Sequence, residues 1–307
     1  MFCNFEPWVY LLASALYGRP EFQTKPLKKL TDLFFYSSFF ISLCSLALTT
    51  ETHLLAALPL NWPVLLLVFF ATLFLYNLDS LLPYKTAQVN VISERKAWLL
   101  SHRRFLKMVV IVSGLIAAGL FFYLLPQIPI AFILPIFLVS VLYSLPVFKN
   151  KNGRFPLRDV PFLKVFLIAG VWAALTVWLP LLVAGKPISF TAEGLLILRR
   201  FLLIFALTLL FDIRDIKKDQ LAHTLTFPVK FGTVFTKILS LAALLGFALL
   251  VYFTETGAVR WGLEASVLCS AITILSTSPN RSDYFFTLFA DGMMMLQFLL
   301  VYFALNF

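Results

Sequence analysis

Long apolar runs alternate with short polar connections along this chain, and the lengths of the runs predict helices that cross a bilayer. A hydrocarbon core about 30 Å thick selects segments of roughly 18–25 residues with few charges. Such segments fall at 33–50, 62–82, 105–125, 130–148, 161–184, 195–211, 231–253, 259–277 and 284–305, so about nine spans are predicted. An earlier apolar run, 8–17, is too brief to cross and follows Glu6 rather than a basic residue. It therefore reads as an interfacial helix and not as a signal peptide. The predicted division is a cytoplasmic or interfacial segment over 1–29 and one transmembrane domain over 30–307.

Composition agrees with that pattern. The 307 residues are 61% hydrophobic and 13% charged, with mean hydropathy +0.91. A soluble domain is about 45–50% apolar and about 25% charged. The predicted class is an all-α polytopic membrane bundle around a central cavity.

Charge then sets the expected orientation. Of the 25 Lys and Arg residues, only Lys186, Arg199, Arg200 and Arg260 fall on one side of the predicted membrane, leaving 21 on the other. The positive-inside rule puts the N-terminus in the cytoplasm and the C-terminus outside, which requires an odd number of spans. The net charge of +10 is thereby explained by loop asymmetry, with no need for a nucleic-acid partner. Cys3, Cys44 and Cys269 are scattered, as are His53, His102 and His223, so neither a disulfide framework nor a zinc site is implied.

Candidate chemistry collects at the cytoplasmic ends of spans two, four and six. Span six ends in Phe211-Asp212-Ile213-Arg214-Asp215-Ile216-Lys217-Lys218-Asp219. At about 100° per residue the three aspartates fall at roughly 0°, 300° and 340°, on one narrow stripe. Carboxylates crowded there repel, by about 4 kcal/mol for a pair at ~4 Å and an effective dielectric near 20. A cation should sit among them, and a hard oxygen-liganded ion such as Mg2+ suits the donors. The competing reading is a solvated helix end of mixed charge. Span two ends in Tyr76-Asn77-Leu78-Asp79, and span four in Tyr143-Ser144-Leu145-Pro146 with Lys149 following. Asn77 and Asp79 lie about 200° apart on a helix, so only one of them can face a shared cavity.

These residues resemble the UbiA superfamily of intramembrane prenyltransferases. Asp212, Asp215 and Asp219 match that family's second aspartate motif, DxxDxxxD. The segment 226–232, Thr-Phe-Pro-Val-Lys-Phe-Gly, is similar to the family's TLPVxxG continuation, with His223 where the family often has Gly. Tyr143, Pro146 and Lys149 resemble its tyrosine-proline-lysine signature. The first motif, NDxxDxxxD, departs from the pattern. If Asn77 is its Asn, then Leu78, Leu81 and Lys85 replace its acids; if Asp79 is its central Asp, Tyr76 and Pro83 take the flanking acid positions.

The resemblance implies a prenyl diphosphate held in a helix-walled cavity under a cytoplasmic cap, in a membrane expected to be the bacterial inner membrane. Asp212, Asp215 and Asp219 would hold Mg2+ against the diphosphate. Asn77, Asp79, Lys85, Lys149 and Arg214 would contact the substrate, Lys85 supplying charge lost from the first motif. Arg214 serves only if the helix ends near Asp215. Tyr143 would face the allylic carbocation, with Asp212 and Asp215 as the other catalytic groups. The expected reaction moves an isoprenyl group to an aromatic or other lipophilic acceptor. A terpene cyclase of the same type, or an isoprenoid-binding protein without chemistry, are the alternatives. A transporter fits less well, because Asp291 is the one charge well inside a span, and beside Gly292 it reads as a buried hydrogen-bonded carboxylate.

Overall fold

The protein is described here from a computed structural model that covers residues 25–82, 94–145, 147–150, 153–186 and 192–306. The predicted interfacial helix at 8–17 lies outside the described residues. In chain order the helices are α1 (Lys25–Tyr36), α2 (Phe39–Leu55), α3 (Trp62–Leu81), α4 (Glu94–Ser101), α5 (Arg103–Gln127) and α6 (Ile130–Ser144). They continue as α7 (Leu163–Val183), α8 (Ala192–Arg214), α9 (Ile216–Leu221), α10 (Phe227–Thr254), α11 (Gly257–Ser276) and α12 (Asp283–Asn306).

Among the described residues seven helices are long and apolar enough to cross a membrane: α3, α5, α7, α8, α10, α11 and α12. The two other predicted spans take different forms. The run at 33–50 is divided between α1 and α2, which meet at a 55° bend. Ser38 makes the bend by adopting the left-handed region, φ 63°, and buried Asn77 of α3 supports it by donating to the carbonyl of Ser37 at 2.8 Å. The run at 130–148 becomes the short α6, which stops at Ser144. Leu145 after it is extended, the conformation that a following proline, Pro146, imposes. Leu82 ends α3 in the same way before Pro83.

Beyond α6 the chain makes a hairpin that the apolar pattern does not announce. β1 (Phe148–Asn150) pairs antiparallel with β2 (Gly153–Phe155), and the Asn150–Gly153 pair closes a loop of two residues. The segment Asn150-Lys151-Asn152-Gly153, rich in turn-forming residues, is the local signal for it. A 3-10 turn at Leu157–Asp159 then leads into α7.

Neighbouring helices follow the order α7, α8, α10, α11, α12, α2, α3, α5, and α7 closes the ring by touching α2. α8 is the most enclosed, and Leu203, Ile204, Ala206, Leu209 and Leu210 place it in the main apolar core with α2, α7, α10 and α12. A second core joins α3, α5, α6 and the far half of α7. Outward faces are apolar as well: Leu115 on α5 is 70% exposed and Phe253 on α10 is 79% exposed. Water would penalise so much apolar surface, and lipid does not. Small residues bring helices close. A Cβ on Gly262 of α11 would stand 3.0 Å from the Leu300 carbonyl oxygen of α12, so this crossing depends on glycine.

Two segments of π-type turn interrupt the helices, Ala174–Trp178 in α7 and Phe286–Asp291 in α12. Such turns reorient the side chains next to them and often occur at functional sites. Here Trp172 and Asp291, beside these turns, both line the central cavity.

Candidate functional site

The cavity occupies about 440 Å³ near the C-terminal end of α8. Its walls differ in character. Phe35, Ile41, Ile168, Trp172, Ile204, Leu207 and Met294 supply apolar surface, whereas Arg95, Arg158, Lys164, Arg214 and Lys218 bring cations to it. Carboxylates of Asp159, Asp215, Asp219 and Asp291 also line it. Apolar walls together with a polar lining of five cations and four carboxylates can take an amphiphile with an anionic head, since burial drives one end and charge pairing the other.

The aspartate stripe assembles differently from an uninterrupted helix. α8 ends at Arg214, and Asp215, with φ −86° and ψ 6°, forms a one-residue break before α9. The condition for Arg214 to face the cavity is thereby met. Its guanidinium donates twice to Asp215, Nε to Oδ1 at 2.9 Å and Nη2 to Oδ2 at 3.1 Å. It also lies over the Phe211 and Phe286 rings, with centroids at 5.0 and 5.6 Å. Burial pushes the Asp215 carboxyl up, but the charge and hydrogen bonds of Arg214 outweigh that, and the net shift is well below the usual carboxylate range.

Asp212 and Asp219 turn to another partner. Lys164, near the start of α7, places Nζ 2.5 Å from Asp212 Oδ1 and 3.9 Å from Asp219 Oδ2. Both oxygens are buried, and the lysine ammonium is their ionic partner, in direct contact with Asp212 and more distant from Asp219. Burial pushes the Asp219 carboxyl up, Lys164 draws it down, Asp215 and Asp212 push it further up, and it comes to about 6.

The three carboxylates thus do not converge on one point. Among the described residues no group of three His, Cys, Asp or Glu side chains is placed to hold a metal ion. Two donors nevertheless fit a hard cation, because Asp212 Oδ1 and Asp219 Oδ2 are buried carboxylate oxygens whose charge is answered by a single ammonium. The cation that the stripe calls for is present as an ammonium.

The other expected residues divide. Tyr143 lines the cavity. Asp79 lies beside it, and its Oδ1 accepts from Arg158 Nη1 at 3.1 Å, which ties the end of α3 to the turn before α7. Asn77 is fully buried, and its Nδ2 donates to the carbonyls of Ser37 and Leu73 at 2.8 Å each. It braces the α1–α2 bend and is not part of the cavity wall. The opposed directions of Asn77 and Asp79 match their helical angle. Lys85 lies outside the described residues; Lys149 belongs to β1, with its side chain outside them.

His223 has φ 52°, a left-handed conformation in which glycine is the least strained residue. That accounts for a glycine preference at this position in the resembling motif. Gly232, with φ 84°, kinks α10 where that motif ends. Asp291 differs from the expectation of a hydrogen-bonded carboxylate. It faces the cavity, its carboxylate accepts no hydrogen bond among the described residues, and it lies in the field of Arg95 and Arg214.

Sequence reasoning missed Lys164, Arg158, Arg95 and Lys218 as site residues. For Lys164 a signal existed, since a charge one residue inside an apolar run is costly unless it is used. Tyr76 was likewise not assigned; its hydroxyl lines the cavity and accepts from Trp172 Nε1 at 3.3 Å. Comparison with protein-family models and with curated proteins gives no match for this chain.

Proposed function

We propose that this chain is a membrane prenyltransferase of the UbiA type, with nine spans, a cytoplasmic N-terminus and an outer C-terminus, in a bacterial inner membrane. It moves an isoprenyl group from a prenyl diphosphate to an aromatic or other lipophilic acceptor. The observation that carries this reading is the cavity itself, with apolar walls leading to Arg158, Lys164, Arg214 and Lys218.

In this reading Arg158, Lys164, Arg214 and Lys218 bind the diphosphate, and Ile168, Trp172, Ile204 and Leu207 line the path of the isoprenyl chain. Ionisation breaks the allylic C–O bond, and its electron pair leaves with the diphosphate. Mg2+ bound at Asp212 and Asp219 would act as a Lewis acid toward that leaving group. The Tyr143 ring stabilises the allylic cation, a contact worth roughly 0.5–2 kcal/mol. Asp215 holds Arg214 oriented through its two hydrogen bonds, so that the guanidinium meets the diphosphate without reorganising. The acceptor carbon or heteroatom then forms the new bond to the allylic carbon and loses a proton.

One observation favours the lipid-binding alternative: Asn77 is committed to the α1–α2 bend, so the first motif contributes little to the cavity. A single assay separates the readings. Purified protein is given geranylgeranyl diphosphate with Mg2+ or with EDTA, and released diphosphate and extracted products are measured. Mg2+-dependent release that also requires an added aromatic acceptor, with the prenylated acceptor recovered, supports the transferase. Release indifferent to EDTA removes the metal from the account, and saturable binding without release supports the lipid-binding reading. A cyclic product formed without acceptor identifies a cyclase.

The acid limb of that activity is also predicted. The Asp219 carboxyl takes up a proton as pH falls through about 6, which removes one of the two anionic donors. With Mg2+ limiting, turnover should therefore decline below that pH; saturating Mg2+, which competes with the proton, should move the limb lower, and Asp219→Asn, slower throughout, should lack it.

A further inference from the structure

Lys164 is held from both sides. Phe162, two residues earlier, adopts the left-handed region with φ 61°, an unfavourable conformation for a bulky residue. Its N–H donates to the Leu225 carbonyl at 3.1 Å, and its ring packs on those of Phe227 and Phe231. The start of α7 is therefore fastened to the segment that enters α10, directly after the aspartates. From this fixed backbone the lysine side chain reaches Asp212 and Asp219, while part of it still faces the cavity.

The ammonium and a divalent ion cannot both sit between these carboxylates. They would compete for the same two oxygens, and like charges within a few ångströms repel strongly where water is scarce. Turned into the open cavity, the ammonium would meet Arg158, Arg214 and Lys218 beside the carboxylates of Asp159, Asp215 and Asp291. An anion bound among those cations changes the balance, since it offers the ammonium a second set of oxygens. The lysine stem has enough rotatable bonds to move between the two positions without backbone motion.

We propose that Lys164 is a tethered counter-ion that closes the Asp212–Asp219 pair to divalent metal until a phosphate-bearing ligand draws the ammonium away. Metal and ligand then bind in a fixed order, or arrive together, and the free protein has little affinity for the metal alone. The order rests on the proposed diphosphate ligand; the closure rests only on the contacts of Lys164. Lys164 is thus a positioning residue for the metal as well as a ligand for the phosphate.

The test is Mn2+ binding to the full chain in detergent, followed by the electron paramagnetic resonance signal of free Mn2+, with no phosphate present. Wild-type protein should bind Mn2+ weakly. Lys164→Gln, which keeps hydrogen-bonding capacity without charge, should gain one site about tenfold tighter or more. Lys164→Arg should resemble wild type, and Lys164→Gln with Asp212→Asn should lose the gained site. Tight Mn2+ binding by the wild type overturns the proposal whether or not any variant folds. So does a folded Lys164→Gln protein that gains nothing. If instead the Mn2+ results hold but geranylgeranyl diphosphate is neither bound nor cleaved, the closure stands and the prenyl reading fails.

Discussion

Asp215→Ala is expected to lower turnover of a prenyl diphosphate by about 10²–10³-fold, equivalent to roughly 3–4 kcal/mol of transition-state stabilisation. Asp215 is the bidentate partner of Arg214 at 2.9 and 3.1 Å, and both side chains line the cavity. Without it the guanidinium keeps its charge but loses its orientation. Binding of the diphosphate should persist or tighten, because a cation has been released from its internal partner. The chemical step should slow, because the donor is no longer fixed where charge develops. Steady-state kinetics should therefore show a large fall in kcat with KM unchanged or lower. An equal loss of binding and turnover would place Asp215 among the groups that merely hold the substrate.

The second large effect concerns stability at the other end of α8. Arg200 and Glu51 are 2% and 1% exposed, with Nη2 3.5 Å from Oε2. Gln297 Nε2 donates to the other Glu51 oxygen at 2.8 Å, so the pair joins α2, α8 and α12. Arg200 also donates to the Leu48 carbonyl at 3.2 Å. Arg200→Leu leaves a carboxylate stranded in a membrane core, and the expected cost is about 3–5 kcal/mol. Thermal unfolding in detergent should show the loss. Adding Glu51→Leu should restore part of it, since no charge is then stranded while Gln297 Nε2 loses its acceptor. Twelve residues of helix, about 18 Å, separate Arg200 from Asp212, so protein that remains folded should keep its KM.

How much of this was legible in the sequence depends on whether the cause is local. Seven spans followed from the length of apolar runs alone, because bilayer thickness imposes that length on each helix separately. The bend at Ser37–Ser38 did not, because it depends on Asn77, forty residues away in the chain. Pro146, by contrast, lies beside the place where α6 stops, and could have been used to shorten that span.

The site divides in the same way. Although the three carboxylates do not converge, helical angles marked them as a problem of charge and set Asn77 apart from Asp79. They did not supply the answer, since Lys164 comes from another helix and Asp215 leaves the stripe at a one-residue break. The basic residues illustrate a second obstacle. Arg95, Arg158, Lys164, Arg214 and Lys218 contribute to the loop asymmetry from which the orientation is predicted, yet all five line the cavity. In a sequence count, charges that orient a membrane protein and charges that bind an anion look the same.

Native mass spectrometry of the purified protein can show whether this cavity receives a prenyl diphosphate. With geranylgeranyl diphosphate added before desorption, one bound equivalent should be retained by the wild type and lost when Arg158, Arg214 and Lys218 are replaced together by Gln. Retention of bulk phospholipid alone, with no prenyl diphosphate adduct at any concentration, would contradict that expectation.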